Sequence, residues 1–545
     1  MTQALRGADV VARSLERLGC RHVFTLSGNH IMSLFDAAIE TKLDLVHVRH
    51  EAAAVHMADA WGRLTGEAGV AMVTGGPGHA NAVGALYTAL GAESPMVLLS
   101  GHAATWELGR GGFQEIRQAD MAAPVTKAAW TATSAATLGR DVGEAMRIAT
   151  AGRPGPVHLS LPSDLLEERV ESNAIVWPDA PGAASSAPAL TSPIADAVLA
   201  ALAAASRPIV FTGPQLSGPS GRALLGRLEA TTKTPAVVLE SPRGIADATL
   251  GAFSDLVRRA DLIVLLGKVL DFTTRWATGS AFDPHVRLIS IDPEAALVDR
   301  AARAMGERLV LGCTADVRKA AETLIARAAS ASTRSDDWLR EARAALDDRP
   351  AGWGTIVAHT AGRLHPAEVF RALRPSVERN PDTVLICDGG EFAQWGQSML
   401  PVRRRLINGV AGSIGSSLSF ALAARLRDPA APVFAVLGDG TIGFHMSEFE
   451  TAARRRLPFV AVLGNDARWN AESQIQLRDY GKERMHGCDL LPVRYDQAVA
   501  ALGGHGEFVE AAADLPGAIE RSLASGKPAC INVMIESIAA PVIRR

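Results

Sequence analysis

Cysteine is scarce: five in 545 residues, at positions 20, 313, 387, 488 and 530, with no CxxC pair among them. An odd, scattered set excludes a disulfide framework and a thiolate metal site, and leaves the thiols as small buried hydrophobes. Charge of one sign is lacking too. The formal net charge of -3 gives no long-range field to recruit nucleic acid, and short basic runs such as Arg454-Arg455-Arg456 read as solvated faces. No apolar run reaches the roughly 18 residues of a membrane span. The opening "MTQALRGADVVARSLERLG" lacks the apolar block of a secretory leader. A soluble, cytoplasmic protein without membrane or nucleic-acid partners is expected.

What is present is apolar content, 48% of residues, enough at this length for about three domains with large cores. Two stretches lose hydrophobic periodicity and fill with Pro, Ala, Ser and Asp, near 171–193 and near 326–338. They read as linkers and leave domains at 1–170, 190–330 and 360–545. Each domain alternates amphipathic segments with short apolar strands ending in glycine, such as "VAMVTGG", "DLIVLLG" and "PVFAVLGDG". That repetition predicts an α/β protein of three doubly wound parallel sheets, the middle one Rossmann-like.

The outer domains also match one another. Laying Pro95 on Pro458 aligns strand with strand and Gly-loop with Gly-loop without a gap, as expected of one topology used twice. The loops differ in chemistry, "GGPG" in the first and "GDG" in the second. Ligands of such sheets sit beyond the carboxyl ends of the strands, where both loops fall. A site made of one loop from each domain follows.

In the second loop, Asp439 ends a strand between Gly438 and Gly440, which leave room for a phosphate to approach the backbone. After one helix and the strand "FVAVLG", Asn465 and Asp466 end the neighbouring strand. Oxygen ligands on adjacent strand ends, beside exposed amides, suit a small hard cation bridging to a diphosphate. In the first domain, "LDLVHVRHEAAAV" ends a strand and places Glu51 before a run of alanines. Glu51 is either a helix-capping charge or a buried acid with a partner elsewhere in the chain.

Here the sequence resembles the thiamine diphosphate (ThDP) enzymes, in particular the acetohydroxyacid synthase and benzaldehyde lyase group. The motifs "RHEAAAVHMADAWGR", "TGGPGHANAV", "GGFQEIRQADMAAPVTK", "GRPGPVHLSLPSD", "ISIDPE", "GSIG" and "GDG" through "ND" follow the family's order along nearly the whole chain. The resemblance implies that Glu51 hydrogen-bonds the pyrimidine N1′ of ThDP and exchanges a proton with it. It assigns Asp439, Asp466 and the Arg468 carbonyl to Mg²⁺. It assigns Ile414 to an apolar wedge that keeps the cofactor bent, and Gly412 to a carbonyl contact with the 4′-amino group. Gly75, Pro77, Gly390, Glu391, Gly438, Gly440, Thr441 and Asn465 complete the implied cofactor site. One departure is Asp466, where the family usually has Asn; the added charge should tighten cation binding and repel the diphosphate.

Gln114 and His30 match polar residues that handle the substrate's hydroxyl or carbonyl in the lyase-like branch, and Trp469, Asn470 and Glu472 are expected beside the substrate. His79, on the cofactor loop, is not expected to be catalytic. For the middle domain the resemblance leaves FAD or ADP open, with Arg153 and Lys268 toward phosphate and Asp292 toward a ribose hydroxyl. No clear glycine-rich fingerprint accompanies them, so an empty domain is the preferred reading. The expected function is ThDP- and Mg²⁺-dependent carboligation or cleavage beside a carbonyl, on 2-oxo acids, aldehydes or 2-hydroxy ketones. Alternatives are 2-hydroxyacyl-CoA lyase or oxalyl-CoA decarboxylase chemistry, against which little chain follows the last strand, and a non-catalytic binding protein on the same fold, against which Glu51, the metal loop and the wedge occur together. The family pattern joins the outer domains of different subunits, so a homodimer is the smallest active unit implied, with a homotetramer as the fuller assembly.

Overall fold

The computed structural model describes residues 4–179, 187–328 and 335–543. The expected linkers fall partly on 180–186 and 329–334, which lie outside the described residues. Helices Val317–Ala328 and Asp337–Leu346 flank the second of these stretches.

Three parallel sheets carry the chain. The first has the spatial order Asp44–His47, His22–Thr25, Gly69–Val73, Met96–His102, Pro156–Pro162, Ala128–Thr131. The third runs Arg404–Ile407, Val384–Asp388, Val433–Gly438, Val460–Asn465, Ala529–Met534, His505–Val509. Numbered within each unit the two orders are identical, so the repeat expected from sequence is a repeat of topology. The middle sheet has five parallel strands in the order Ala236–Val238, Pro208–Thr212, Leu262–Leu266, Arg287–Asp292, Leu309–Thr314. Runs such as Gly69–Val73 and Leu262–Leu266 are buried at every residue, as a sheet covered by helices on both faces requires.

The alanine run after Glu51 has a packing role. Helix Glu51–Thr65 of the first unit lies on helix Ser417–Arg427 of the third, and Ala53, Ala54, Ala58, Phe420, Ala421 and Ala424 share one buried cluster. Small side chains let the two backbones approach while Phe420 fills the space between them. The polar edge of this contact is matched: Arg63 donates to the Ile407 carbonyl at 2.6 Å and pairs with Asp59 at 2.7 Å. The Arg49 N–H donates to buried Glu448 at 2.9 Å.

Candidate active site

The carboxyl ends of the third sheet gather acids. Asp439, first residue of the short helix Asp439–Ile442, is buried and hydrogen-bonds Asp466 at the end of the adjacent strand. Burial pushes both carboxyls above their usual range, and for Asp466 the neighbouring charge adds to the push. Arg468 N–H donates to Asp439 at 3.1 Å. Its ladder partners are on the other side, because Trp469 N–H bonds the Cys488 carbonyl and Leu490 N–H bonds the Ala467 carbonyl. That pattern leaves Arg468's own N–H outside the ladder, where it reaches Asp439. Among the described residues no three His, Cys, Asp or Glu side chains surround a common point. A cation held by Asp439 and Asp466 would therefore draw its other ligands from backbone and ligand oxygens, a donor set that suits Mg²⁺.

Around these acids the backbone is open. Gly389 and Gly390 have φ of 67° and 53° where helix Gly390–Met399 begins, a conformation that leaves amides pointing outward at a helix N-terminus. No atom lies within 4 Å of where a Cβ on Gly390 or Gly438 would sit, whereas at Gly440 it would meet the Trp469 ring at 2.7 Å. Thr441 Oγ1 and Ile414 Cγ2 close over Gly389, and the Tyr495 hydroxyl donates to the Asp439 carbonyl. The Gly412–Ser416 loop that carries Ile414 is pinned by Asp388, whose carboxylate accepts from Gly415 N–H at 3.0 Å and Ser417 N–H at 2.7 Å. Asp388 is completely buried, and desolvation raises it to about 6 against those bonds.

Other residues of the third domain are committed to structure. Asn465 is buried, its amide donating to the Val493 carbonyl and Asn532 while its oxygen accepts from Ala467 N–H. The Glu391 carboxylate accepts from Ala540 N–H and pairs with Arg243. Asn470 donates to the Ile538 carbonyl at 3.0 Å. Trp469 is half-buried and Glu472 exposed, at the start of helix Asn470–Tyr480.

In the first domain, Glu51 opens its helix behind His50, whose Nδ1 accepts from Ala52 N–H. The Glu51 carboxylate is buried and accepts from Asn81 at 3.1 Å, with Gly78 of helix Pro77–Gly91 beside it. Pro77 is pre-set for the first helical turn. Gln118, buried, accepts from Gly76 N–H and donates to the Gly101 carbonyl and Ser160. It thus fixes the Gly75–Gly76 turn, where a side chain on Gly76 (φ 58°) would collide with Gln114. Gln114 itself has φ of 58°. The His30 ring stacks on Phe113 at 6.0 Å and its Nδ1 meets Thr74 Oγ1 at 3.2 Å; burial lowers its pKa, so the imidazole is neutral at pH 7. His79 is turned into the core, bonded to Ser100 at 2.9 Å and 4.5 Å from the His158 ring.

Of the expected site residues, Glu51, His30, Gln114, Gly75 and Pro77 belong to the first sheet's unit, and Gly390, Gly412, Ile414, Gly438, Asp439, Thr441, Asp466 and Arg468 to the third's. Arg153 of the first domain does come together with Lys268 and Asp292 of the middle one, but around Glu93. Asn81, Gln118, Asp388 and Glu93 were not singled out from sequence. Asn81 and Gln118 lie within quoted motifs and Asp388 and Glu93 outside them, and each is bonded to backbone or side chains distant in the chain.

Residues 5–121 match the family described as thiamine pyrophosphate enzyme, N-terminal TPP binding domain, and residues 388–533 its C-terminal TPP binding domain. A probable acetolactate synthase of Mycobacterium bovis is 33% identical over 99% of this chain and 97% of its own length. The 2-hydroxyacyl-CoA lyase 2 of Homo sapiens is 28% identical over 97% and 90%. The catabolic acetolactate synthase of Raoultella terrigena is 28% identical over 99% and 97%.

Proposed function

The chain belongs to the thiamine pyrophosphate (ThDP) enzymes, and from that premise we propose that it is a Mg²⁺-dependent carboligase or lyase acting on the carbon–carbon bond beside a carbonyl in 2-oxo acids, aldehydes or 2-hydroxy ketones. The observation that carries the metal half of this reading is the buried Asp439–Asp466 pair, two neighbouring carboxyls beside an open glycine cradle. When bound, ThDP supplies an acidic C–H whose carbon, once deprotonated, adds to a carbonyl and accommodates the electron pair released as the adjacent bond breaks.

In this proposal Asp439, Asp466 and the Arg468 carbonyl hold Mg²⁺. The amides of Gly390, Gly438, Gly440 and Thr441 would hold a diphosphate, and Ile414 and Gly412 would contact the rest of the cofactor. Glu51, steadied by Asn81, holds and returns a proton at the pyrimidine. His30, neutral, and Gln114 present hydrogen bonds to a substrate oxygen. Exposed Glu472 disfavours carboxylates that approach from its side. The segments 1–170, 190–330 and 360–545 act as pyrimidine, central and diphosphate domains of a cytoplasmic homodimer or homotetramer, in which Glu51 of one subunit serves the metal loop of another.

A second reading, 2-hydroxyacyl-CoA cleavage, is favoured by full-length relatives of that name. The protein loaded with ThDP and Mg²⁺ should be offered pyruvate, an acyloin and a 2-hydroxyacyl-CoA, with products followed by mass spectrometry. Turnover of pyruvate or the acyloin supports the leading reading. Turnover confined to the thioester selects the second, and no turnover of any of them sinks both.

A further inference from the structure

The middle sheet reverses its strand order between Pro208–Thr212 and Leu262–Leu266. At such a switch point a doubly wound sheet opens a crevice for a ligand, here between Gly213 and Gly267. Phosphates entering it would need unspent cations and an approachable backbone. Neither is found.

The crevice is filled from the first domain. Glu93 follows helix Pro77–Gly91 with φ of 53°, a conformation that bulky side chains rarely adopt. Its carboxylate lies against Gly213, 3.3 Å from where a Cβ there would sit, and pairs with Arg153. The same guanidinium bonds Asp292 and donates to the Gly267 carbonyl at 3.2 Å. Lys268, buried in the same group, is spent on Asp271 at 3.3 Å. With Glu294 at 4.0 Å from Arg153, two cations face four carboxylates. A cavity of about 310 Å³ adjoins, lined among others by Glu93, Gln215, Glu240, Asp316, Arg318 and Arg405. Of its cations, Arg405 pairs with Glu240 and Arg63 with Asp59, while exposed Arg318 donates to the Ser220 hydroxyl.

We propose that this crevice takes neither FAD nor ADP, because Glu93 closes it with an ion-pair network that instead locks the first domain to the middle one. The group that would anchor a diphosphate, Arg153, is held by two acids, and an incoming nucleotide would have to break buried pairs and share the space with Glu93. The inference stands on this network and is independent of which reaction the ThDP site performs.

The test is equilibrium dialysis of the ThDP- and Mg²⁺-loaded protein against ADP and against FAD, with chromatography of the denatured protein to detect nucleotide carried from the cell. Wild type is expected to retain neither and to show no saturable binding up to about millimolar concentration. Glu93→Gln removes one of the acids that hold Arg153 and lessens the negative charge of the crevice, so it should gain ADP affinity by about tenfold or more; ADP should also raise its Tm while leaving that of wild type unchanged. Stoichiometric FAD or ADP on wild type overturns the proposal, and so does a folded Glu93→Gln protein that binds ADP no better than wild type. The wild-type measurement decides the matter even if that variant fails to fold.

Discussion

The first and third domains share a strand order but not a chemistry. Laid on each other at Pro95 and Pro458, they put Glu51 opposite Ile414, Gly76 opposite Asp439 and Ala103 opposite Asp466. The proposed proton carrier on one sheet thus occupies the place of the proposed wedge on the other. Where one sheet has a glycine and an alanine, the other has the two acids of the proposed metal site. The first sheet's strand ends are lined by neutral hydrogen-bonding groups, Thr74, Ser100, Ser160, Gln118 and imidazoles that burial keeps uncharged. The third sheet's strand ends carry Asp388, Asp439 and Asp466, all buried. One strand order thus carries two sets of strand-end residues, neutral hydrogen-bonding groups on the first sheet and buried acids on the third.

That division is sharpest in the rate. Glu51→Gln keeps the size and a hydrogen bond with Asn81 but removes the exchangeable acid. Turnover should fall by about 10²- to 10⁴-fold while cofactor affinity changes far less. Hydrogen–deuterium exchange at C2 of bound ThDP reports the step directly. Exchange and turnover like wild type would return Glu51 to the role of a helix-capping charge and leave the first domain without an acid of its own.

The converse variant should lose binding. ThDP and Mg²⁺ together should raise the Tm of wild type, by the equivalent of about 2.7 kcal/mol at a hundred times Kd, and ThDP alone should do much less. Asp439→Ala should lose most of that gain and Glu51→Gln should keep it. If the two variants lose it equally, the halves are not divided as described.

Much of this was legible in sequence, and the reason is spacing. Strand, glycine and helix recur at one offset in both domains, so topology and the Gly76 and Asp439 loops could be placed without coordinates. What was not legible depends on contacts between distant segments. Asp388 ends an apolar strand like any other, and only the fold brings the Gly415 and Ser417 amides onto it. Glu93 reads as a polar residue after a helix until its left-handed backbone turns it into the middle sheet. Asn465 shows the reverse: its place beside Asp466 suggested a ligand, yet its side chain is consumed in tying the strand end to Val493 and Asn532.

Asp388 gives a smaller effect, confined to the third domain. Its carboxyl is raised from 3.8 to about 6 in the folded chain. Below 3.8 both states are protonated and no penalty arises. Between the two values the unfolded carboxyl ionises first, so stability falls as pH rises, by at most about 1.4 kcal/mol per pH unit. Above about 6 the deficit is constant. Asp439 and Asp466 slope the same way in the cofactor-free protein, so the measurement is a difference: urea unfolding of cofactor-free Asp388→Asn should vary less with pH between about 4 and 6 than that of wild type. Equal slopes would mean that Asp388 is ionised throughout, held by the Gly415 and Ser417 amides.

The mildest expected signal tests whether the two halves serve one another across subunits. Glu51 bonds Asn81 of its own domain, and the acids of the metal loop bond each other, so each half-site is internally complete and needs its counterpart only for chemistry. Glu51→Gln and Asp439→Ala proteins are each expected to be inactive. Mixed under conditions of proven subunit exchange, hybrid dimers would contain one site with both residues intact and one with both lost. Random pairing makes half of the dimers hybrids, so about a quarter of wild-type activity should return. A site built within a single chain would regain nothing, because every chain in the mixture lacks one of the two residues. The recovered fraction therefore reads the geometry of assembly directly, and its absence would place Glu51 and Asp439 of one chain in the same site.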